Sequence, residues 1–429
     1  MLTRFCLYGF LKNQRYFEPF FMLALLAQGL SFFWIGVLYA TRSLTLNLME
    51  IPSGVLADGW GRRRCMIVSF FAYVLSFTIF AFADNWLWFF PAMVLFGLGD
   101  SFRTGTHKAM IFEWLRLQGR ENERTRVYGV TRSWSKFGSA ISAILAAVFV
   151  LWTGDYQKIF LFATIPYLMN IVNFLGYPKE LDGLHHQEDG AVPLNLNTFW
   201  RRTIQTVRSI WQKPSLRHLT AESMAWEGIL HSVKDYLQPA LIAVVIAVTL
   251  DQTRPSSEPV AETVSGSATD PAVVILIGAT YTVLFLLSGW ASRSSHRVVK
   301  SAGSEERAAV RLWRANLVLY LLLGLFDLVG WMVLVALMFV ALMVLHNLWR
   351  PILISRIDQH ADPGRGATVL SIESQAQRFT SMIVAPIVGL AIDRVAAGSI
   401  GHLYPVAIAG CLAAAWMLLT AKKPALSAE

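Results

Sequence analysis

Two things are scarce in this chain: charge and cysteine. Asp, Glu, Lys and Arg make up 15% of its 429 residues, where a water-facing surface uses roughly 25%. So few charges could not cover a globule of this length, which excludes a large soluble enzyme, and the low polarity excludes a disordered chain. Cys6, Cys65 and Cys411 are scattered, with neither a CxxC pair nor a His cluster beside them. That excludes a disulfide framework and a structural metal site. Also missing are a GxSxG elbow, a phosphate-cradling Gly-rich loop and any metal-ligand spacing. The chain is therefore not read as an enzyme, no cofactor is implied, and it does not draw energy from a nucleotide site of its own.

What is abundant is apolar surface, with 55% of residues hydrophobic. A membrane helix takes about 20 apolar residues, so the length accommodates a dozen. Apolar segments fall near 16–32, 34–57, 65–84, 87–113, 128–152, 157–176, 219–249, 271–291, 308–326, 329–349, 367–391 and 400–421. The second, fourth, fifth, seventh and eleventh are interrupted by ionisable residues. The 37 Lys and Arg give a second signal. With the amino terminus in the cytoplasm, only Lys158, Arg254 and Arg394 fall in outward loops. The expectation is an integral protein of the cell membrane, in contact with the lipid bilayer, with both termini cytoplasmic. Its net charge of +9 then reflects topology, and no nucleic-acid partner is implied. Arg4, Lys12 and Arg15 are read as a basic flank ahead of an uncleaved first helix.

A polar connection over 178–217 divides the chain into six-helix halves, 1–177 and 218–429. Within it Trp200, Ile204, Val207 and Trp211 recur at helical spacing beside Arg201 and Arg208, the pattern of an amphipathic helix lying at the membrane interface. The stretch 251–270, rich in Ser, Thr, Pro and Glu, is expected to be a mobile outward loop.

After the second span comes Gly54-Val55-Leu56-Ala57-Asp58-Gly59-Trp60-Gly61-Arg62-Arg63-Arg64. Its glycines permit close helix approach and a sharp turn, and its arginines hold that turn at the cytoplasmic side. The string resembles the loop 2-3 signature of the major facilitator superfamily, matched at Gly54, Asp58, Gly61, Arg62 and Arg63. Gly59 stands where that family usually has a basic residue. The second half keeps only a degenerate copy, Ser288-Gly289-Trp290-Ala291-Ser292-Arg293. The stretches Met49–Gly54 and Lys234–Pro239 look like features of little-characterised members. The Gly-Pro-rich signature of the family's antiporters is absent from Lys136–Ser142. The resemblance implies an all-α membrane fold of twelve helices in two six-helix halves, with helices one, four, seven and ten lining a central cavity. It also implies that Asp58 caps the helix beginning near Gly366 and pairs with the motif's arginines.

An ionisable residue at membrane depth costs roughly 2.5–3.5 kcal/mol on insertion scales, so it should face a cavity or a partner. Asp100, Arg103 and His107 fall at i, i+3 and i+7 on the fourth span, and Glu227, His231 and Lys234 at similar spacing on the seventh. Arg42 and Arg132 lie in otherwise apolar surroundings, with Lys136 and Arg378 as further cations. Glu18, Glu50, Glu113 and Glu373 are the acids available to neutralise them. His346, Asn347, Trp349 and Arg350 suit a gate or interface anchor, and Asp327 a solvated outer turn. The expected function is secondary active transport of a small polar or anionic organic solute by alternating access, with protons as the coupling ion through His107 or His231. Two other readings are open: efflux of amphipathic drugs, and a non-transporting receptor or scaffold on the same fold.

Overall fold

The computed structural model describes residues 1–182, 212–249, 260–361, 366–396 and 402–420. The helix expected over 200–211 lies outside them, as do residues 251–259 of the expected outward loop and the side chain of Asp58. Among the described residues every regular element is helical.

Six helices among the described residues are long and apolar enough to cross a membrane: Arg62–Phe82, Glu121–Thr153, Pro214–Val248, Pro271–Ala302, Glu305–Val329 and Met332–His360. Twelve spans were expected, and the shortfall has physical causes. The first expected span is two pieces, α1 (Leu2–Lys12) and α2 (Phe21–Ala27), joined by a turn and the 3-10 segment Glu18–Phe20. The fourth is also two, α5 (Phe89–Arg103) and α6 (Thr106–Leu117). The second, α3 (Phe32–Trp60), carries Arg42, Glu50 and Asp58, which dilute its hydropathy. α8 (Ile159–Leu175) is apolar but 17 residues long. The full-length spans of this first part are α4 (Arg62–Phe82) and α7 (Arg124–Thr153).

In the remainder, α9 (Pro214–Ser223), a π-helical stretch Met224–Gly228, α10 (Ile229–Val233), a 3-10 turn Lys234–Tyr236 and α11 (Leu237–Thr249) make one irregular rod. Then come α12 (Val260–Ser267), α13 (Pro271–Ala302), α14 (Glu305–Val329), α15 (Met332–His360), α16 (Gly366–Ala396) and α17 (Tyr404–Thr420). α12 lies within the 251–270 stretch, with Val264 and Ser267 buried. The expectation of a solvated Asp327 is corrected. It is buried, and its carboxylate accepts the Tyr404 N–H at 2.8 Å, capping α17.

The chain forms two compact units. The first comprises Met1–Ala24, Thr41–Arg202 and Ala268–Thr282, and the second Leu25–Ala40, Thr203–Ser267 and Val283–Glu429. The core of the first is aromatic. Phe77 meets Phe17, Phe96 and Tyr167 at centroid distances of 4.8, 5.5 and 5.0 Å, edge and tilted contacts that add to area burial. In the second unit Trp226 stacks on Trp349 at 4.6 Å and meets Trp313 edge-on at 4.6 Å. Outward faces are apolar as well: Trp152, Val172, Leu412 and Leu419 are exposed. In water such faces would be unfavourable, and in lipid they are the solvent-facing surface.

Candidate solute cavity and charge clusters

α1 begins at Leu2, not near residue 16. Phe5, Tyr8 and Leu11 are buried against the neighbouring helices α7 and α8. Lys12 and Arg15 are therefore not a terminal flank. They sit inside the first unit, beside residues of the fourth expected span.

There Asp100 is 4% exposed and surrounded by cations. Arg42 donates to its Oδ2 from Nη2 at 2.5 Å and from Nε at 3.1 Å. Arg103 donates to Oδ1 at 3.0 Å, and Arg15 lies 3.9 Å from the same oxygen. The Tyr73 hydroxyl donates to Oδ1 at 2.5 Å and accepts from Arg103 Nε at 2.9 Å. Arg42 also lies over the Phe96 ring, 4.1 Å from its centroid. One carboxylate thus faces three guanidiniums, and the cluster keeps an excess of positive charge.

His107 does not join this cluster as its spacing suggested. The helix breaks at Thr104-Gly105, where Gly105 takes φ +80°, a conformation that L side chains rarely adopt. The i, i+7 relation assumes one continuous helix. Past the break His107 is buried, stacked on Tyr8 at 3.7 Å and 3.4 Å from the Tyr177 hydroxyl.

A cavity of about 200 Å³ opens beside the break, lined by Phe5, Tyr8, Lys12, Arg103, Thr104, Gly105, His107, Lys108, Tyr128, Thr131, Arg132 and Ser135, among others. Four of these side chains are cationic and none is a carboxylate. Arg132, exposed at the wall, forms no ion pair among the described residues. Of the acids expected to neutralise it, Glu113 engages Arg116 at 2.6 Å and Arg62 at 4.0 Å, and Glu373 lies in the second unit.

In the second unit Arg350 binds two buried carboxylates, Glu227 at 3.0 Å and Glu373 at 2.6 and 3.0 Å. His346 Nε2 is 3.7 Å from Glu227, and the Ser223 hydroxyl donates to Glu373. Nearby Glu222 accepts both indole N–H groups, from Trp313 and Trp349, at 3.0 Å, and Arg356 at 2.8 Å. Of the expected trio of Glu227, His231 and Lys234, Glu227 joins Arg350, and His231 meets the His346 ring at a centroid distance of 6.2 Å. A π-helical stretch precedes His231 and a 3-10 turn begins at Lys234, so the three do not follow the register of one continuous α-helix. His231 is exposed and Lys234 half-buried.

The turn of the loop motif rests on Gly61 and Asp182. Gly61 has φ +110°, and Asp182 caps the helix that follows, accepting the Arg63 N–H at 2.8 Å. The Arg63 side chain lies 3.9 Å from Asp182 and donates to the Tyr177 carbonyl at 3.2 Å. Nothing lies within 4 Å of where a Cβ on Gly54 would sit, so that glycine does not serve a close helix approach among the described residues. Arg15, Lys12, Tyr73, Asp182 and Arg356 escaped the sequence reading of the site. The Phe5, Tyr8, Leu11 period was the signal available for the first two.

The sequence profile of the Major Facilitator Superfamily matches residues 2–372. The chain belongs to this superfamily. It is by family a membrane transport protein and not an enzyme. A probable vesicular acetylcholine transporter-B of Danio rerio is 32% identical over 120 residues, 28% of this chain and 24% of that protein. The chain thus spans about a quarter of the length of the curated relatives it matches first. Solved structures share the fold over nearly the whole superfamily chain. The nucleoside transporter NupG aligns with TM-score 0.69 at 12% identity, covering 98% of this chain and 95% of its own. A D-xylose-proton symporter aligns with TM-score 0.66 at 12% identity, covering 99% and 98%.

Proposed function

We propose that this superfamily member is a secondary active transporter of a small anionic organic solute, working by alternating access with protons as the coupling ion. The observation that carries the reading is the cavity lined by Lys12, Arg103, Lys108 and Arg132 with no carboxylate among its lining residues. A cation such as acetylcholine would be repelled there, so the short match to a vesicular acetylcholine transporter does not set the cargo. A volume of about 200 Å³ also falls below the roughly 300–1,000 Å³ of drug-sized pockets, which disfavours amphipathic drugs. Proton coupling is supported by Glu227 and Glu373 sharing Arg350. Two buried carboxylates against one guanidinium reach neutrality by taking up one proton, with His346 adjacent. A proton is also the partner named for the D-xylose symporter of the same fold.

The same reading includes twelve spans in two six-helix halves, joined by the 178–217 linker, with both termini cytoplasmic in the cell membrane. Arg42 and Asp100 form the ion pair that positions Arg103, and Asp58, Gly61, Arg62 and Arg63 form the conformational turn.

The deciding experiment is uptake by proteoliposomes of small labelled organic anions, neutral sugars and cations, with and without an inward proton gradient. Saturable anion uptake, raised by the gradient and lost in Arg103→Gln, is the expected result. Uptake confined to neutral or cationic solutes, or no uptake of any solute, would refute the reading.

A further inference from the structure

The cavity of the first unit carries more than the sign of its cargo. Of its four cations, Arg103 is already engaged by Asp100 and Tyr73. The other three, Lys12, Lys108 and Arg132, form no ion pair among the described residues. Lys12 lies over the Tyr8 ring at 5.6 Å, and Lys108 over Phe112 at 5.5 Å and Tyr128 at 5.6 Å. Tyr8 is also stacked on His107 at 3.7 Å. The aromatic side chains of the lining therefore hold ammonium groups in place and do not leave an open stacking platform.

The Thr and Ser hydroxyls of the lining are also committed in one direction. Thr104 donates to the Asp100 carbonyl at 2.7 Å, Thr131 to the Tyr128 carbonyl at 2.8 Å and Ser135 to the Thr131 carbonyl at 3.1 Å. With their protons used, these oxygens can only accept. Donors toward an anion are then the cationic groups and the Tyr8 and Tyr128 hydroxyls, and the Thr and Ser oxygens suit O–H groups on the cargo.

Three basic side chains that pair with no acid among the described residues line about 200 Å³, a volume of roughly seven waters. A monoanion leaves two of them bare. We infer that this cavity takes a small hydroxylated divalent anion, a phosphate monoester or a dicarboxylate. This rests on, and narrows, the anion reading above. The same phosphate chemistry could come from a lipid headgroup or from a soluble solute, and the test separates the two.

The full-length protein, purified in neutral detergent at constant ionic strength and pH 7.5, is titrated with matched pairs and followed by thermal unfolding, since a bound ligand stabilises the folded state. The pairs are malate against 3-hydroxybutyrate and glycerol 3-phosphate against glycerate. At least one dianion should bind roughly tenfold or more tightly than its monoanion, the low end of what a close charge pair contributes. Arg132→Gln and Lys108→Gln should each shrink that ratio, while Arg120→Gln, whose side chain pairs with Glu123 in an exposed turn, should not. Equal affinity within both pairs overturns the divalent assignment and leaves the anion reading standing. Stabilisation by neutral solutes alone overturns both. If only vesicles containing phosphatidic acid protect the protein, and no soluble dianion does, the cavity is a lipid-headgroup site and the inference fails.

Discussion

Asp100 shows how one buried carboxylate organises its surroundings. It sits where the Tyr73 hydroxyl and three guanidiniums converge, so its removal leaves cations facing each other. Breaking a fully buried pair costs about 3–5 kcal/mol, and partial exposure of the arginines should lower that to about 2–3 kcal/mol. We therefore expect Asp100→Ala to destabilise the protein by that amount in a detergent unfolding titration. A change below about 0.5 kcal/mol, within the range of ordinary surface substitutions, would show that the arginines find other partners. Arg42 and Asp100 are 58 positions apart, and no local rule joins them. Sequence identified both as charges that need company, which is as far as periodicity reaches, because pairing belongs to the packing of α3 against α5.

At the scale of elements, interruptions matter more than helices. Charge was the cue that ended the first span in the sequence, and it misplaced Lys12 and Arg15, because a bundle interior can hold cations next to Asp100. The Thr104-Gly105 break and the Met224–Gly228 π-helical stretch interrupt the helical register on which the faces of His107, His231 and Lys234 were argued, although His107 still lines the cavity with Arg103. Hydrophobic pattern carries no register beyond such points. Where helices run unbroken, as in α4, α13 and α14, the expected span and the observed helix overlap closely.

Helix ends follow the same logic of satisfied groups. α3 starts after Gly29 (φ +80°), and both oxygens of Asp393 accept its first N–H groups, Phe32 at 2.9 Å and Phe33 at 2.8 Å. A carboxylate from α16 thus caps a helix 360 positions away, also favourable against the helix dipole. Asp393→Ala should cost about 1–2 kcal/mol and speed hydrogen exchange at the Phe32 and Phe33 amides, while Asp393→Asn should cost less. Unchanged exchange at those two amides would mean that another group caps α3.

At the scale of the molecule, the orientation read from loop charge can be tested with little background, since Cys6 and Cys65 are buried and Cys411 half-buried. A cysteine placed by Ser301→Cys, at the end of α13, should react with an impermeant thiol reagent only after cells are opened. One placed by Asp84→Cys, between α4 and the next span, should react from outside. The reverse pattern would invert the topology.

Coupling is the remaining question at this scale, and it turns on charge balance in the second unit. Arg350 neutralises one of Glu227 and Glu373, and the other needs a proton to remain buried at low cost. Because the two carboxylates share one guanidinium, the proton belongs to the pair and not to either residue. Glu227→Gln removes one acid and leaves a neutral Arg350–Glu373 pair, so the cluster no longer needs a proton at any stage of the cycle. Folding should survive, since Arg350 keeps both contacts to Glu373. We expect the variant to exchange solute across proteoliposomes without a gradient, yet to lose the accumulation that an inward proton gradient drives in the parent. If Glu227→Gln still accumulates solute in response to that gradient, protons enter through other groups, and the paired carboxylates are a structural clamp on Arg350.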